Sequence, residues 1–216
     1  MENTGTFRKI ISRIRYHLII HVLINRLAKR GIIICPFYLF KVRQLNSAIP
    51  PAIRDNDPVS YRVEILKKED VSELGSNNPF YIEAQLRNYF DNGVLVIGVK
   101  HNQSIVTSHM LNLNECDFDY YRFKLKNNEA YGFGLFTLES YKGKNLAAFQ
   151  AYYTFEILKQ FNKDAYYFIN DYFNRSTLRV TRKYNARPVK LLIHISLFKK
   201  FKCTRVLKTY PEPDFQ

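Results

Sequence analysis

The segment from Tyr131 to Ala147 constrains the fold of this chain more than any other stretch. It reads YGFGLFTLESYKGKNLA, which predicts an apolar strand, a short loop and the first turn of a helix. The loop places Gly143 between Lys142 and Lys144. The first N–H groups of a helix lack partners within the helix and carry partial positive charge, so such a start suits an anionic group such as phosphate.

A regular series of strands and helices surrounds this segment. Residues 129–138 predict the strand, residues 143–162 a long helix, and residues 164–170 the next strand. The other elements predicted from residue 61 onward are strand 61–66, helices 67–74 and 79–93, a hairpin of 94–100 with 104–113, a strand or irregular segment at 118–126, helix 174–185, and strands 190–198 and 201–207. This order predicts an α/β fold with a mixed, mostly antiparallel sheet flanked by helices.

The N-terminal part of the chain predicts a helical arm. Residues 6–30 contain no Pro or Gly, and their apolar residues follow helical spacing. Residues 32–43 predict an apolar strand, which Pro36 confines to a sheet edge or an irregular extended segment. Three prolines then mark a linker. We expect a basic amphipathic arm at 1–45, a linker at 46–60, the main domain at 61–208 and a tail at 209–216.

Positive charge is concentrated in this arm. The chain carries 33 Lys and Arg against 19 Asp and Glu, a net charge of +14, and residues 1–43 hold nine of the basic residues with Glu2 as their one acid. Two interpretations stay open for residues 6–30: a helix that packs on the domain or a partner chain, and a helix that lies in an anionic membrane surface. The apolar run from Tyr16 to Ile24 is too short to span a bilayer, and no secretory cleavage pattern follows it.

The three cysteines are widely spaced and odd in number. Cys35, Cys116 and Cys203 form no CxxC pair, so the sequence predicts neither a zinc site nor a disulfide framework. Free thiols fit a reducing compartment. We therefore expect no bound metal and a cytoplasmic protein, alone or associated with the inner face of the membrane.

The loop and the helix start resemble the acyl-CoA signature of the GNAT superfamily of N-acetyltransferases. That signature is Arg or Gln, two free positions, Gly, one free position, then Gly or Ala. Here Lys142 stands for the Arg, Asn145 for the Gly, and Ala147 matches. A second family motif, Asn-x-x-Ser-Leu-Arg-x-Tyr-x-Lys, resembles residues 174–183, NRSTLRVTRK. The resemblance covers roughly residues 60–208 and is strongest over residues 131–189.

The resemblance implies an acyl-CoA donor. Backbone amides of residues 143–147 would hold the pyrophosphate of coenzyme A, and the pantetheine arm would add to the edge of strand 133–138. Asn174 would hydrogen-bond the pantetheine. The implied cofactor-binding residues are Phe136, Thr137, Leu138, Lys142, Gly143, Lys144, Asn145, Leu146, Ala147, Asn174 and Thr177.

Catalytic residues are less sharply indicated. Thr181 stands where many members of the superfamily carry a Tyr that protonates the leaving thiolate, and a threonine hydroxyl is too weak an acid for that role. Tyr184, one helical turn later, or a water molecule is the alternative. The base that deprotonates the acceptor ammonium stays open among Glu129, Glu139, Asp171 and His109.

The sequence thus predicts an enzyme that transfers an acetyl or other acyl group from acyl-CoA to a primary amine. The loop is similar to that of members linked to bacterial polysaccharide biosynthesis, which implies an amino sugar or nucleotide-linked sugar as acceptor. The alternative is a catalytically impaired coenzyme A-binding or regulatory module of the same fold. The arm at 6–30 would suit a membrane surface or an acidic acyl carrier protein. Nucleic acid is disfavoured, because the aromatic residues follow apolar stripes rather than basic clusters.

Overall fold

The computed structural model describes residues 18–43, 49–78 and 80–211. The chain divides into two units. Unit A comprises Met1–Leu39, Asn170–Arg179 and Pro188–Gln216, and unit B comprises Phe40–Ile169 and Val180–Arg187. The start of the predicted arm helix, residues 6–17, lies outside the described residues. The division into arm, linker, domain and tail stays a prediction.

Strands and helices follow the order expected from the sequence. The strands are β1 Ile32–Val42, β2 Tyr61–Ile65, β3 Leu95–His101, β4 Ser104–Asn112, β5 Glu115–Phe118, β6 Tyr121–Lys124, β7 Glu129–Thr137, β8 Ala165–Asp171, β9 Arg187–Leu197 and β10 Phe201–Thr209. The helices are α1 Leu18–Lys29, α2 Val71–Asn77, α3 Glu83–Asp91, α4 Leu146–Gln160 and α5 Arg175–Thr181. Short 3₁₀ turns precede β2, α2 and α4 and follow α5.

Unit B is built on a mixed sheet. Its strands follow the order β1–β8–β7–β4–β3–β2, with the last three residues of β1 contributing. The pairs β2–β3, β3–β4 and β4–β7 are antiparallel, and β7–β8 is parallel. The predicted mixed, mostly antiparallel sheet flanked by helices is confirmed. The hairpin predicted across residues 101–103 is also present, as β3 and β4.

Two apolar clusters form much of the core of unit B. The larger one packs α2 and α3 against β3 and β4, and its buried members are Leu66, Val71, Leu74, Leu86, Val94, Val96, Ile105 and Met110. The smaller one joins β2, β3 and β4 to the start of α4 through Tyr61, Val99, Val106 and Leu146. The segment left open at 118–126 belongs to a separate two-stranded ribbon, β5 with β6.

Helix α4 buries a face that includes polar side chains. Gln150 is fully buried, accepts a hydrogen bond from the Thr107 hydroxyl at 2.6 Å and donates to the Ile97 carbonyl at 2.8 Å. Because both ends of this amide are satisfied, its burial carries little penalty. The side chain therefore fixes α4 against β3 and β4, which sets the position of the loop before the helix.

Unit A contains α1, most of β1, and the hairpin of β9 and β10. Its strand order is β10–β9–β1, and β9 and β10 pair antiparallel. The prediction that Pro36 confines its strand to an edge is wrong. Strand β1 has β9 as its neighbour on one side. On its other side, the Pro36 carbonyl accepts a hydrogen bond from Tyr172 N at 3.0 Å. Proline lacks only the N–H, so its carbonyl still joins an interior strand to its neighbour.

The described residues contain neither a helix that could span a membrane nor a cluster of side chains that could hold a metal ion. Among the residues at 18–43, 49–78 and 80–211, no helix is long and apolar enough to cross a bilayer. Within the same residues, no group of three or more His, Cys, Asp or Glu side chains is placed to hold a metal ion. The three thiols are free, and burial raises the pKa of Cys116 to about 12.

Candidate functional site

A β-bulge interrupts β7 in the middle of the sheet of unit B. Between the paired residues Ser108 and Met110 of β4, one residue of β4 faces two residues of β7, Gly134 and Leu135. Gly134 has φ +63°, a conformation that favours glycine. A Cβ atom at Gly134 would lie 3.1 Å from the hydroxyl oxygen of Tyr81. The Tyr81 hydroxyl therefore lies directly over the bulge.

The parallel pairing of β7 with β8 ends before β7 does. It runs from Glu129 with Ala165 to Gly132 with Phe168. Strand β7 continues to Thr137, and its last residues pair with β4 alone. Backbone groups of β7 that point away from β4 past Gly132 are thus left for an extended ligand to bind as an added strand. The predicted cofactor residues Phe136 and Thr137 lie here and are half-buried.

The loop after β7 adopts two left-handed residues before α4 begins. Glu139–Tyr141 forms a 3₁₀ turn, and Lys142 is extended. Gly143 has φ +86° and Asn145 has φ +68°. Asparagine tolerates the left-handed region better than most residues, which explains its place at the position where the family motif has glycine. The predicted helix from residue 143 therefore starts at Leu146 instead.

The start of α4 presents backbone N–H groups. The first hydrogen bond within the helix joins Phe149 N to Asn145 O at 3.2 Å. The N–H groups of residues 146–148 precede it, so they have no acceptor in the helix and carry its positive dipole end. Around Gly143 there is open space, since a Cβ atom there would meet nothing within 4 Å. The loop thus offers donors and room for an anion.

A segment that we name the strap, residues 49–57, lies against this loop. The side-chain amide of Asn145 donates to the Ala52 carbonyl at 2.9 Å. Arg54 N donates to the Lys144 carbonyl at 2.9 Å. These contacts bind the segment that the sequence predicts as a linker to the loop before α4, and they hold Asn145 in its left-handed conformation.

The ammonium group of Lys144 is paired with an acid of the strap. Its Nζ donates to Asp55 Oδ2 at 2.6 Å, lies 3.4 Å from the Tyr61 hydroxyl, and sits 4.8 Å from the centre of the Tyr141 ring. The Tyr61 hydroxyl also donates to Asp55. Hydrogen bonds from Lys144 and then Tyr61 lower the pKa of Asp55 to about 2. The proposed role of Lys144 at a phosphate stays a prediction, and it would require sharing this ammonium with Asp55.

The other charged side chains of the loop are near the solvent. Lys142 is exposed and pairs with Glu139, which is also exposed. Lys183 Nζ donates to the side-chain oxygen of Asn145 at 2.8 Å. A lysine of the second motif, absent from the predicted site residues, thereby contacts the first motif within unit B.

Asn174 and Thr177 belong to unit A, where they begin α5. The side-chain oxygen of Asn174 accepts the N–H of Thr177 at 3.1 Å, which caps the helix. The Asn174 carbonyl accepts Leu178 N at 3.1 Å. Their roles toward a cofactor stay predictions.

Glu129 is buried at the opposite end of β7 from the loop. It is 4 % exposed and accepts hydrogen bonds from Lys41 Nζ at 3.0 Å, the Tyr167 hydroxyl at 2.9 Å and Lys126 N at 3.2 Å. Burial alone would raise the pKa of Glu129, but these hydrogen bonds, led by that of Lys126 N, outweigh it and lower the pKa. This carboxylate is held by a structural ion pair, and its role as general base stays a prediction.

The remaining predicted catalytic residues have different surroundings. Glu139 is exposed beside the loop. Asp171 belongs to unit A, and its Oδ1 accepts Phe173 N at 2.7 Å. Thr181 is 2 % exposed. The backbone of Tyr184 ends a 3₁₀ turn, and its side chain lies outside what the structure describes.

His109 lies under the bulge. Its Nδ1 is 3.4 Å from the Thr154 hydroxyl, and a Cβ atom at Gly132 would lie 2.7 Å from its Nε2. Burial lowers the pKa of His109 to about 4, so the imidazole is neutral at physiological pH. The His109 ring therefore fills the space beside Gly132, the last residue of β7 that pairs with β8.

The sequence did not indicate a groove that lies between α2 and α3. The groove encloses about 570 Å³. Asn78 and Tyr81 line it, and the buried Nδ2 of Asn78 has no hydrogen-bond partner. Both residues lie at or beside the start of a segment predicted as one helix over 79–93, and the true helix begins at Glu83. The other lining residues are Ser72, Glu73, Gly75, Ser76, Ile82 and Glu83.

Comparison with known proteins gives relatives in structure alone. No family model matches the sequence, and no curated protein is similar to it. An acetyltransferase from the GNAT family of Colwellia psychrerythraea superposes with a TM-score of 0.56 at 12 % identity, over 80 % of this chain and 60 % of that one. A GNAT-family protein of Novosphingobium aromaticivorans gives 0.53 at 16 % identity, over 77 % and 66 %.

A third structure extends the comparison. A tandem GNAT protein from the clavulanic acid biosynthesis pathway, named as solved without AcCoA, gives a TM-score of 0.54 at 10 % identity, over 82 % of this chain and 55 % of that one. The chain thus spans between 55 % and 66 % of the length of these three proteins. The mixed sheet and flanking helices of this chain have the fold of GNAT acetyltransferases.

Proposed function

We propose that this chain is a GNAT-type N-acyltransferase, which moves an acetyl or other acyl group from acyl-CoA to a primary amine. One observation carries the proposal. Strand β7 loses its parallel partner after Gly132, passes a bulge at Gly134 and runs into the glycine loop at the start of α4. An extended ligand can hydrogen-bond the open side of β7 while its anionic end lies at the helix start.

The residues of unit B suit two parts of coenzyme A, the pyrophosphate and the pantetheine. The N–H groups of residues 146–148 and the open space at Gly143 fit a pyrophosphate. Residues 136–138 fit the amide groups of pantetheine. Lys142 and Lys144 would add positive charge. The roles of Asn174 and Thr177, which belong to unit A, rest on the sequence resemblance alone. Bound acyl-CoA would supply a thioester whose acyl group can be transferred.

Transfer to an amine requires two proton movements. The acceptor ammonium must lose a proton, and the leaving thiolate must gain one. We add Tyr81 to the proton-handling candidates, because its hydroxyl lies over the bulge and lines the groove between α2 and α3. Burial raises the pKa of Tyr81, which keeps the hydroxyl protonated and able to donate. The candidates from the sequence stay Glu129, Glu139, Asp171, Thr181 and Tyr184.

The acceptor class rests on the sequence resemblance. We propose an amino sugar or a nucleotide-linked sugar of bacterial polysaccharide biosynthesis as the first acceptors to assay. The basic arm at 6–30, of which α1 is the described part, supports contact with a membrane surface at the inner face or with an acidic acyl carrier protein.

A coenzyme A-binding or regulatory module without catalysis is the second candidate. Two observations favour it: Thr181 is buried, and Glu129 is held in an ion pair with Lys41. Release of free thiol from acetyl-CoA in the presence of a panel of amino sugars separates the two candidates. Turnover that falls at least tenfold in Tyr81→Phe supports the enzyme, whereas tight coenzyme A binding without turnover on any amine supports the module.

The donor site is tested by one matched pair of substitutions. Gly143 and Gly93 both have positive φ, +86° and +72°, and a Cβ atom at either would meet nothing within 4 Å. We expect Gly143→Val and Gly93→Val to lose similar stability, about 1–2 kcal/mol each, because a branched residue is strained in this conformation. Titration calorimetry should show coenzyme A affinity reduced at least tenfold in Gly143→Val alone, because the valine methyl groups block the approach of phosphate.

Equal coenzyme A affinity in the two variants would remove the loop from the proposal. Absence of coenzyme A binding to the unaltered protein would reject both candidate functions.

A further inference from the structure

The hairpin of β9 and β10 ends in a tip that exposes both apolar and basic side chains. We name it the tip surface, and its members are Leu197, Phe198, Lys199, Lys200, Phe201 and Lys202. Phe198 is 64 % exposed and Phe201 is 55 % exposed. We propose that the tip surface docks this protein on anionic lipid membranes, with the lysines at headgroup phosphates and the phenylalanines in the acyl boundary.

The turn places an aromatic residue where the backbone disfavours one. Phe198 has φ +52° and Lys199 has φ +60°, and Lys200 N donates to the Leu197 carbonyl at 3.1 Å. This is the geometry of a two-residue hairpin turn that prefers Asn and Gly at both central positions. A large residue in the left-handed region is strained, and strain of this kind is concentrated at functional sites. The turn therefore presents a phenylalanine to the solvent against its conformational preference.

The tip is fixed within unit A by the turn that follows α1. Phe198 N donates to the Gly31 carbonyl at 2.6 Å, and a Cβ atom at Gly31 would lie 3.3 Å from the Phe198 ring. The last turn of α1 carries Arg26 and Lys29. The tip surface therefore lies near further basic residues. The hydrogen bond to Gly31 holds the backbone of Phe198 in place while its side chain stays exposed.

Charge complementarity identifies the partner as anionic. The described residues of unit A carry 11 Lys and Arg with Asp171 as their one acid, while those of unit B carry 18 Lys and Arg against 15 Asp and Glu. Residues 187–211 include seven Lys and Arg and no acid. The excess positive charge of the described protein therefore belongs mostly to the unit that bears the tip.

The kinds of exposed side chain favour lipid over other anionic partners. Besides the two phenylalanines, β10 exposes Val206 and Leu207, at 47 % and 58 %. Aliphatic side chains do not stack on bases, and lysine lacks the forked geometry with which arginine reads nucleic acids. Apolar side chains interleaved with lysine are instead the composition of interfacial membrane anchors. This docking does not depend on acyl transfer by unit B.

Vesicle sedimentation of the full chain tests the proposal. We expect binding to phosphatidylcholine–phosphatidylglycerol vesicles and at least tenfold weaker binding to phosphatidylcholine vesicles. Phe198→Asn with Phe201→Ser should weaken binding to the anionic vesicles about tenfold or more, and Asn also suits the left-handed turn, so the hairpin should fold. Lys199→Gln with Lys200→Gln should weaken binding about fivefold per lysine.

Matched controls come from unit B. Val59→Ser removes an apolar side chain that is 86 % exposed, and Arg62→Gln with Lys126→Gln removes two exposed charges. These variants should bind vesicles like the unaltered chain. Circular dichroism and coenzyme A titration, for which the tip variants should match the unaltered chain, establish that the variants are folded.

Three results would overturn the proposal. The first is tip variants that sediment with anionic vesicles as well as the unaltered chain, which would assign any membrane binding to the arm at 6–30. The second is a full chain that does not bind anionic vesicles at all. The third is tip variants that lose affinity for an acidic acyl carrier protein or for RNA while vesicle binding is unchanged.

Discussion

His109 is a titratable residue that the fold of unit B removes almost completely from water. It is 5 % exposed, its near polar neighbour is the Thr154 hydroxyl, and burial lowers the pKa of His109 to about 4. In the unfolded chain the pKa is about 6.5. The unfolded state therefore binds a proton over a pH range in which the folded state does not, so acid favours unfolding.

We expect the free energy of unfolding to fall as the pH is lowered from about 6.5 to about 4, by up to about 3 kcal/mol from this one group. In the His109→Gln variant, this part of the pH dependence of the unfolding free energy should be absent, whatever the absolute stability of the variant. Urea denaturation at a series of pH values measures it. His101→Gln, which removes a half-buried imidazole beside Tyr141, is the control.

If the unfolding free energy of His109→Gln depended on pH as it does in the unaltered protein, another titratable group would be responsible. The sequence indicates His109 as a possible base because it lies in a predicted strand across the sheet. It could not indicate that the ring is buried, because burial depends on Thr154 of α4 and Gly132 of β7, which only the fold brings together.

At the scale of elements, the strap determines the electrostatics of the candidate donor site. The Asp55 carboxylate accepts a hydrogen bond from the Lys144 ammonium, and this bond raises the pKa of Lys144. A carboxylate at this place neutralises a lysine that a phosphate group would otherwise use. The strap therefore weakens the positive field at the start of α4.

We expect Asp55→Asn to bind coenzyme A several-fold more tightly at low ionic strength, because a negative charge beside the pyrophosphate is removed. The gain should shrink as salt is added, since part of the interaction is exposed. Titration calorimetry at two salt concentrations measures it. Asp57→Asn, two residues along the same strap and exposed, should leave the affinity unchanged. Weaker binding by Asp55→Asn would mean that Asp55 positions Lys144 for the ligand.

The elements around the loop could be predicted only in part. The strand, the loop and the long helix follow from apolar spacing and from Gly143, and all three are present. The predicted start of α4 lies three residues too early, because Asn145 adopts the left-handed conformation and its side chain donates to the Ala52 carbonyl of the strap. Contacts between residues so far apart in the sequence leave no trace in local periodicity. The prolines at 50, 51 and 58 predict a linker instead.

At the scale of the whole chain, the tip surface and the loop of the candidate donor site belong to different units. Unit A holds the tip surface and α1, while unit B holds β7, α4 and the loop. In unit B, Lys142 and Lys144 are each paired with a carboxylate. The two proposed binding activities should therefore respond differently to ionic strength.

We expect vesicle binding to weaken at least tenfold when NaCl is raised from about 50 to about 300 mM, because several exposed charges contribute. Coenzyme A affinity should fall less than about fivefold, because backbone N–H groups and pairing along β7 supply much of the interaction. Parallel vesicle and calorimetric titrations of the full chain compare the two. An equal response would indicate that one basic surface serves both ligands.

The path of the chain through unit A has a consequence for biosynthesis. Strand β1 is apolar over most of its length, IIICPFYLFKV, and its neighbour β9 is translated only after the whole of Phe40–Ile169. On the ribosome, β1 therefore remains unpaired with β9 while Phe40–Ile169 is synthesised. Pairing across such a separation is slow, and an unpaired apolar strand is prone to associate with other chains. Nascent-chain chaperones should bind this protein first at β1.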